Sequence, residues 1–330
     1  RVAMAQVEAS LKAADMPYVV CSLGEGHIEP DEAAVGALTM AFQPCCDGIL
    51  AVGSGVINDC CKVLAHAVGC RSVILGTAPS MDGYASNSSS MIQNRIKVSL
   101  YNACPAAIVA DTDIIRLAPM RMLQAGLGDM LAKYVALCEW RISHLVTDEY
   151  YCADIAALMR KALARIVAVA PKLKDRDADA VQATVEGLIL SGLAMAYAEI
   201  SRPASGLEHY FSHLWEMMAL DRGTPYELHG IQVGVSTLLV WPMFERFARE
   251  DLSALDLDAI RANRISREKR ERWMRHAYGD EGGAQIMREN PGDFLTWEEQ
   301  ERRIRAAQQH VEEIRQIIAA MPPLEKIKDV

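Results

Sequence analysis

A chain of 330 residues and 36.3 kDa is too long for one small core, so two domains, each with a sizeable interior, are expected. With 51% hydrophobic and 23% charged residues, the composition excludes disorder as the main state and is too polar for a membrane protein. A net charge of -9 and a pI near 5.5 exclude nucleic acid and anionic lipid surfaces as partners, because the field repels both, and an anionic small substrate would need local positive charge.

No stretch reads as the roughly 20 apolar residues of a membrane span, and no signal peptide opens the chain, so a cytoplasmic setting without membrane insertion is expected. All nine cysteines fall between Cys21 and Cys152, and none is in CxxC spacing. That argues against a tetracysteine zinc site and against a disulfide framework, and leaves reduced, mostly buried thiols.

In chain order, an amphipathic helix comes first, followed by PYVVCSL from Pro17, a helix from Pro30, GILAVGSG, a helix to Val68, SVILGTAPS, and AAIVADTD ending near Asp111. Short continuous apolar runs between helices are the pattern of strands buried on both faces, linked by crossover helices. Residues 1–116 are therefore expected to form an α/β domain with a parallel sheet. After Leu117 the strand pattern stops, and MRMLQAGLGDMLAKYVALCEW and VQATVEGLILSGLAMAYAEI place apolar residues at three- and four-residue intervals. Residues 117–330 are expected to be an all-helical domain. Its Arg- and Glu-dense stretch from Asp251 to Gln309 reads as solvated helices with a surface loop at Gly279 to Gly292. A nucleotide-binding half that opens on a helix, and a break at Pro322-Pro323 close to Val330, suggest a missing first strand and an incomplete C-terminus.

The turn Gly53-Ser54-Gly55 sits between a strand and a helix, where backbone N–H groups and a helix N-terminus can face a phosphate. As a dinucleotide fingerprint it is imperfect, since Asn58 stands where GxGxxG has its third glycine. After the next strand, GTAPSMDGYAS offers Thr77, Ser80, Asp82 and Ser86 at the carboxyl edge of the sheet. Further on, Ser205 precedes Glu208 by three residues, a capping box for a helix carrying His209 and His213 on one face. His229 opens a following segment, so three of the chain's eight histidines lie between positions 209 and 229. Imidazoles suit zinc, nickel or iron(II), and a catalytic ion takes about three protein ligands. Asp129 completes such a set, because a carboxylate in an apolar helix between Gly126 and Gly128 needs a partner, either a metal or Lys133 one turn on.

Together, AVGSGVIND, GTAPSMDGYAS, ADTDIIRLAPMRMLQAGLGDMLAKY, SRPASGLEHYFSHLWEM and ELHGIQVG resemble the bacterial branch of the sn-glycerol-1-phosphate dehydrogenase family, in order from about Leu23 to Trp241. That family belongs with glycerol dehydrogenase, iron-containing alcohol dehydrogenase and dehydroquinate synthase. The resemblance implies a dehydroquinate synthase-like fold, a nucleotide-binding α/β domain followed by a helical metal-binding domain.

It further implies a metal-dependent oxidoreductase that interconverts sn-glycerol 1-phosphate and dihydroxyacetone phosphate by hydride transfer with NAD or NADP. One divalent metal per subunit is implied, zinc first, with nickel or iron as alternatives, and the subunits form a homo-oligomer. Gly55, Val56, Ile57, Asn58, Asp59, Thr77, Ser80 and Ser86 match cofactor-binding positions, beside the turn at Gly53 and Ser54. Asp82 matches a substrate-binding aspartate. Asp129, His209 and His229 match metal ligands, Asp129 also touching substrate. His213 matches a histidine that contacts substrate rather than metal, which sorts the histidine pool that spacing alone leaves open; Asp129 and His213 are thus the catalytic candidates. Val56 and Asn58 depart from many relatives. For the substrate phosphate, Arg202 and Lys133 are the cations nearest the ligands in sequence. The alternatives are a dehydrogenase of an unphosphorylated polyol such as glycerol and a non-catalytic metal- or nucleotide-binding relative.

Overall fold

The computed structural model describes residues 3–24, 26, 28–290 and 295–328. Helices α1 (Met4–Ala13) and α2 (Glu32–Ala41) come first, with Asp31 capping α2 by accepting a hydrogen bond from the Ala34 N–H. Strand β1 (Gly48–Gly53) leads through α3 (Gly55–Val68) to β2 (Arg71–Gly76). An antiparallel hairpin follows, β3 (Ser88–Gln93) and β4 (Ile96–Tyr101), and then β5 (Ala107–Val109). Strands β1, β2 and β5 form one parallel sheet in that order. Cys60, Leu64, Ile74, Tyr84 and Met91 pack in the core beneath it.

In the parallel register Gly53 lies opposite Gly76, and the Thr77 N–H donates to the Gly53 carbonyl at 2.9 Å. The loops leaving β1 and β2 therefore start side by side at the carboxyl edge, the position at which an open α/β sheet takes ligands.

From residue 112 on, every regular element among the described residues is helical: α4 (Thr112–Ile115), α5 (Met120–Leu131), α6 (Lys133–Thr147), α7 (Ala153–Val169), α8 (Ala178–Ala198), α9 (Leu207–Arg222) and α10 (His229–Arg249). Beyond them lie α11 (Leu257–Ala262), α12 (Arg267–Glu289), α13 (Trp297–Gln309), α14 (Val311–Ala319) and α15 (Leu324–Lys328). Trp140, Met159, Leu163, Ile166, Leu188 and Trp241 fill the main helical core; burying each aliphatic side chain among them contributes roughly 1.5–3 kcal/mol.

Four features differ from the sequence reading. PYVVCSL forms no strand: Pro17–Leu23 is irregular, with Val19 and Val20 about half exposed, and among the described residues no strand pairs with it. The hairpin β3–β4 was not anticipated, since its polar Ser88-Ser89-Ser90 start carries little hydrophobic signal. The loop expected at Gly279 to Gly292 is helical as far as Glu289, interrupted where Gly279 adopts φ 72°, and Gly292 lies outside the described residues. Finally, α8 is long and apolar enough to cross a membrane by length and composition alone, with half of that apolar window buried inside the protein.

Candidate active site

The glycines of α5 decide how the site is assembled. A Cβ at Gly128 would lie 2.4 Å from the Gly230 carbonyl oxygen of α10, and one at Gly230 would lie 2.0 Å from that of Ala125. Glycine inside a helix costs about 1 kcal/mol relative to alanine. Here that cost is offset by backbone-to-backbone packing of α5 on α10, which sets Asp129 beside His229. Gly126 does the same against the loop after β2, where its Cβ would meet the Pro79 carbonyl oxygen at 1.8 Å.

Asp129, His209 and His229 come together: one ligand-type atom of each lies within 4.8 Å of the others. Asp129 is fully buried, and its Oδ1 lies 3.8 Å from His209 Nε2. His209 Nδ1 is held by Glu208 Oε1 at 2.8 Å, and His229 Nδ1 by the Ser212 hydroxyl at 3.1 Å. With both Nδ1 atoms engaged, each ring keeps Nε2 for a ligand. Burial, reinforced by the Lys133 cation, depresses the His209 pKa well below the ordinary value, so it stands as a neutral imidazole, the form that binds metal. The donor set fits a divalent cation. Asp129 already accepts from Lys133 Nζ at 2.7 Å and from the Asp82 N–H at 3.0 Å, but a carboxylate has about four lone-pair sites and retains room for a metal.

His213 lies beside this group, stacked on His229 with ring centroids 5.7 Å apart, and its side chain is 37% exposed. His213, Glu216 and His229 form a second cluster of comparable size. Its carboxylate is committed to a cation, however: Glu216 pairs with Lys97 from β4. Burial would raise Glu216, but Lys97 outweighs burial and holds the carboxyl well below its usual range.

Asp82 joins the two regions. Its carboxylate takes Lys133 Nζ at 2.8 Å and the Ser191 hydroxyl of α8 at 2.7 Å, while its N–H points at Asp129. Burial would raise Asp82, but Lys133 prevails and lowers it. Both proposed roles of the Asp129 helix are thus present at once, a pair with Lys133 and a place among histidines.

At the sheet edge, Gly53 and Gly55 are closely packed: a Cβ at Gly53 would meet Ile57 at 2.6 Å, and one at Gly55 would meet the flexible Met81 side chain, its methyl at 2.5 Å. Ser54 caps α3 without a side-chain bond, Val56 and Ile57 pack partly into the core, and Thr77 remains at the edge. Asn58, Asp59 and Ser86 are buried and turned inward. Asn58 Nδ2 donates to the Gly83 carbonyl at 3.2 Å, and Asp59 lies 3.4 Å from Lys62 Nζ. Lys62 donates to the carbonyls of Gly83 and Ser88 and to the Ser86 hydroxyl, clamping the 77–88 segment onto α3. Ser80 is also buried.

Three details correct the sequence reading. The capping box is displaced: Gly206, not Ser205, is the N-cap of α9, and Glu208 accepts from the Gly206 N–H at 2.8 Å while also holding His209. Arg202 is committed to Glu139 and Glu149, at 2.7 and 3.0 Å. Lys133 is fully enclosed between Asp82 and Asp129. Neither is free to meet a phosphate. Glu208, Ser212, Glu216, Lys62 and Lys97 escaped the sequence reading, Lys97 because its hairpin did and Glu208 because it passed for a capping residue.

Comparison with known proteins adds sequence and fold relatives. Iron-containing alcohol dehydrogenase is the family matched by residues 1–119. A curated glycerol-1-phosphate dehydrogenase, NAD(P)+, of Halalkalibacterium halodurans is 35% identical over 222 residues, 67% of this chain and 56% of the relative. One from Methanosarcina barkeri is 38% identical over 193 residues, 58% of this chain and 53% of the relative. The chain thus spans little more than half the length of these relatives. Among solved structures, glycerol dehydrogenase from Schizosaccharomyces pombe superposes with TM-score 0.60 at 18% identity, over 97% of this chain and 84% of that one. An iron-containing alcohol dehydrogenase from Thermotoga maritima gives 0.58 at 13%, over 94% and 88%. In fold the chain is thus similar to glycerol and iron-containing alcohol dehydrogenases, and in sequence to relatives that carry the name glycerol-1-phosphate dehydrogenase.

Proposed function

We propose that the protein is an NAD(P)-dependent, metal-dependent oxidoreductase that interconverts sn-glycerol 1-phosphate and dihydroxyacetone phosphate. The observation that carries this reading is the 77–86 loop, which borders the glycine turn through Thr77 and Met81 and the metal-type cluster through Asp82. Dinucleotide and metal would then meet across one loop. The names of the relatives supply the substrate.

On this reading Asp129, His209 and His229 hold one divalent metal, with zinc, nickel and iron(II) all compatible with a carboxylate and two imidazoles. When bound, the ion supplies Lewis acidity toward the reacting oxygen at C2, and the dinucleotide exchanges the hydride. The backbone of Gly53 to Val56 receives the dinucleotide phosphates at the N-terminus of α3, with Thr77 and Ser80 beside them. Asn58, Asp59 and Ser86 serve that site by holding the loop.

Asp82, kept ionised by Lys133, accepts a substrate hydroxyl. His213, half open between the buried ligands and solvent, orients the substrate and passes its proton outward. Arg202, Lys133 and Lys97 are each paired with an acid, so the phosphate is given no cation of its own in this reading. Assembly as a homo-oligomer in a cytoplasmic setting belongs to the same reading, supported by the exposed Val235, Leu239 and Met243 along α10.

The test is to strip the protein with chelator, restore zinc, nickel or iron(II) separately, and follow NADH and NADPH oxidation with dihydroxyacetone phosphate and with dihydroxyacetone. Metal-dependent turnover restricted to the phosphorylated ketone is expected. Turnover with dihydroxyacetone alone would give the assignment to a polyol dehydrogenase, and binding of NADH and metal without oxidation of either would make the chain a non-catalytic relative.

A further inference from the structure

Glu208 is the least expected charge in the helical half. It has no exposed surface, and its Oε2 is buried without a hydrogen-bond partner. Only Oε1 is satisfied, by the Gly206 N–H and His209 Nδ1, each at 2.8 Å. A buried carboxylate with one idle oxygen costs several kcal/mol unless a cation compensates it, and the Lys133 and Arg202 ammonium and guanidinium groups are spent on other acids.

The surroundings fix it in place. Its carbonyl oxygen accepts from the Ser236 hydroxyl of α10 at 2.7 Å. Glycine at 206 leaves it room, since a Cβ there would lie 2.9 Å from Glu208 Oε2 and 3.0 Å from Glu139 Oε2. As a helix cap alone, the position would be served as well by a short polar residue facing solvent. What the burial adds is a fixed acceptor for one ring nitrogen.

Building on the metal reading above, we infer that Glu208 is a positioning residue that holds His209 in the Nδ1–H tautomer and aims its Nε2 at the metal beside Asp129. Accepting from Nδ1–H, the carboxylate makes the imidazole a stronger donor, the arrangement that commonly tunes metal affinity from outside the ligand set.

The experiment measures zinc affinity by competition with a chromophoric chelator, and the visible spectrum of the cobalt(II)-loaded protein, for the wild type, Glu208→Gln, Glu208→Ala and Gly206→Ala, all confirmed folded by circular dichroism. Glu208→Ala should bind zinc about 10- to 100-fold more weakly and shift the cobalt bands. Glu208→Gln should lose less, because its amide oxygen still accepts from Nδ1–H. Gly206→Ala, which keeps the acid but crowds it, should also weaken binding. Should Glu208→Ala fail to fold, the other two variants decide. Folded variants with wild-type zinc affinity and cobalt spectrum would overturn the inference and leave the metal reading standing; a wild type that takes up neither zinc nor cobalt would overturn both.

Discussion

The cluster on α5, α9 and α10 and the turn between β1 and α3 solve ligand binding in opposite ways. In the helical cluster, side chains do the work: Asp129, His209 and His229 converge, and each imidazole has its second nitrogen fixed by a neighbour. At the turn the polar side chains of α3 face inward, with Asn58 and Asp59 buried against the loop, so that the edge is lined chiefly by backbone, beside Ser54 and Thr77. A metal needs a few directed lone pairs, whereas a diphosphate needs N–H groups and close approach. Substitutions should therefore act through chemistry in the first region and through space in the second.

The largest expected effect is that of Asp129→Ala. It leaves Lys133 fully buried with Asp82 as its sole remaining partner, and breaking a buried pair costs about 3–5 kcal/mol. Denaturant unfolding of the metal-free protein checks this; a loss below about 1 kcal/mol would mean that Asp82 alone suffices.

Gly128→Ala comes next, with an expected loss of about 1–3 kcal/mol from overpacking, because the added methyl meets backbone at Gly230 that has no freedom to rotate away. The same variant should weaken metal binding by shifting His229, which a titration against unfolding would separate.

A smaller, pH-dependent effect concerns Glu208. Burial raises its carboxyl from 4.5 to about 7 in the metal-free protein. Between those values the folded state holds a proton that the unfolded state releases, so stability falls as pH rises through that window, by about 1.4 kcal/mol per pH unit at most. Thermal melts of metal-free wild type and Glu208→Gln across pH 4 to 8 should differ in this slope, the variant being flatter; parallel curves would assign the acid an ordinary pKa.

The smallest effect on stability is expected for Gly55→Ala. The methyl would meet the flexible Met81 side chain and no backbone, so the fold should change by no more than about 1 kcal/mol. The dissociation constant for NADH should nevertheless rise several-fold, measured by fluorescence titration. A large stability loss with unchanged NADH binding would remove the contrast between the two regions.

Sequence by itself settled what is local. Continuous apolar runs between helices gave the parallel strands β1, β2 and β5, and three- and four-residue periodicity gave the helices after Leu117, because each pattern reports which faces of one segment must leave water. It also brought forward Asp129, His209, His213 and His229, since a carboxylate in an apolar helix and a concentration of imidazoles are anomalies visible without coordinates.

Tertiary structure alone decided partnership. PYVVCSL could be a strand only with a partner, and none among the described residues pairs with it, whereas Ser88 to Tyr101 became a hairpin by pairing with itself. Lys97 reaches Glu216 across 119 positions, and Asp82 reaches Ser191 across 109. Gly126, Gly128 and Gly230 look like helix breakers in one dimension and prove to be contact surfaces of α5 and α10 in three. Which charge is compensated, and which glycine is crowded, depends on atoms brought close by packing of the whole chain. No pattern within a single segment records that proximity.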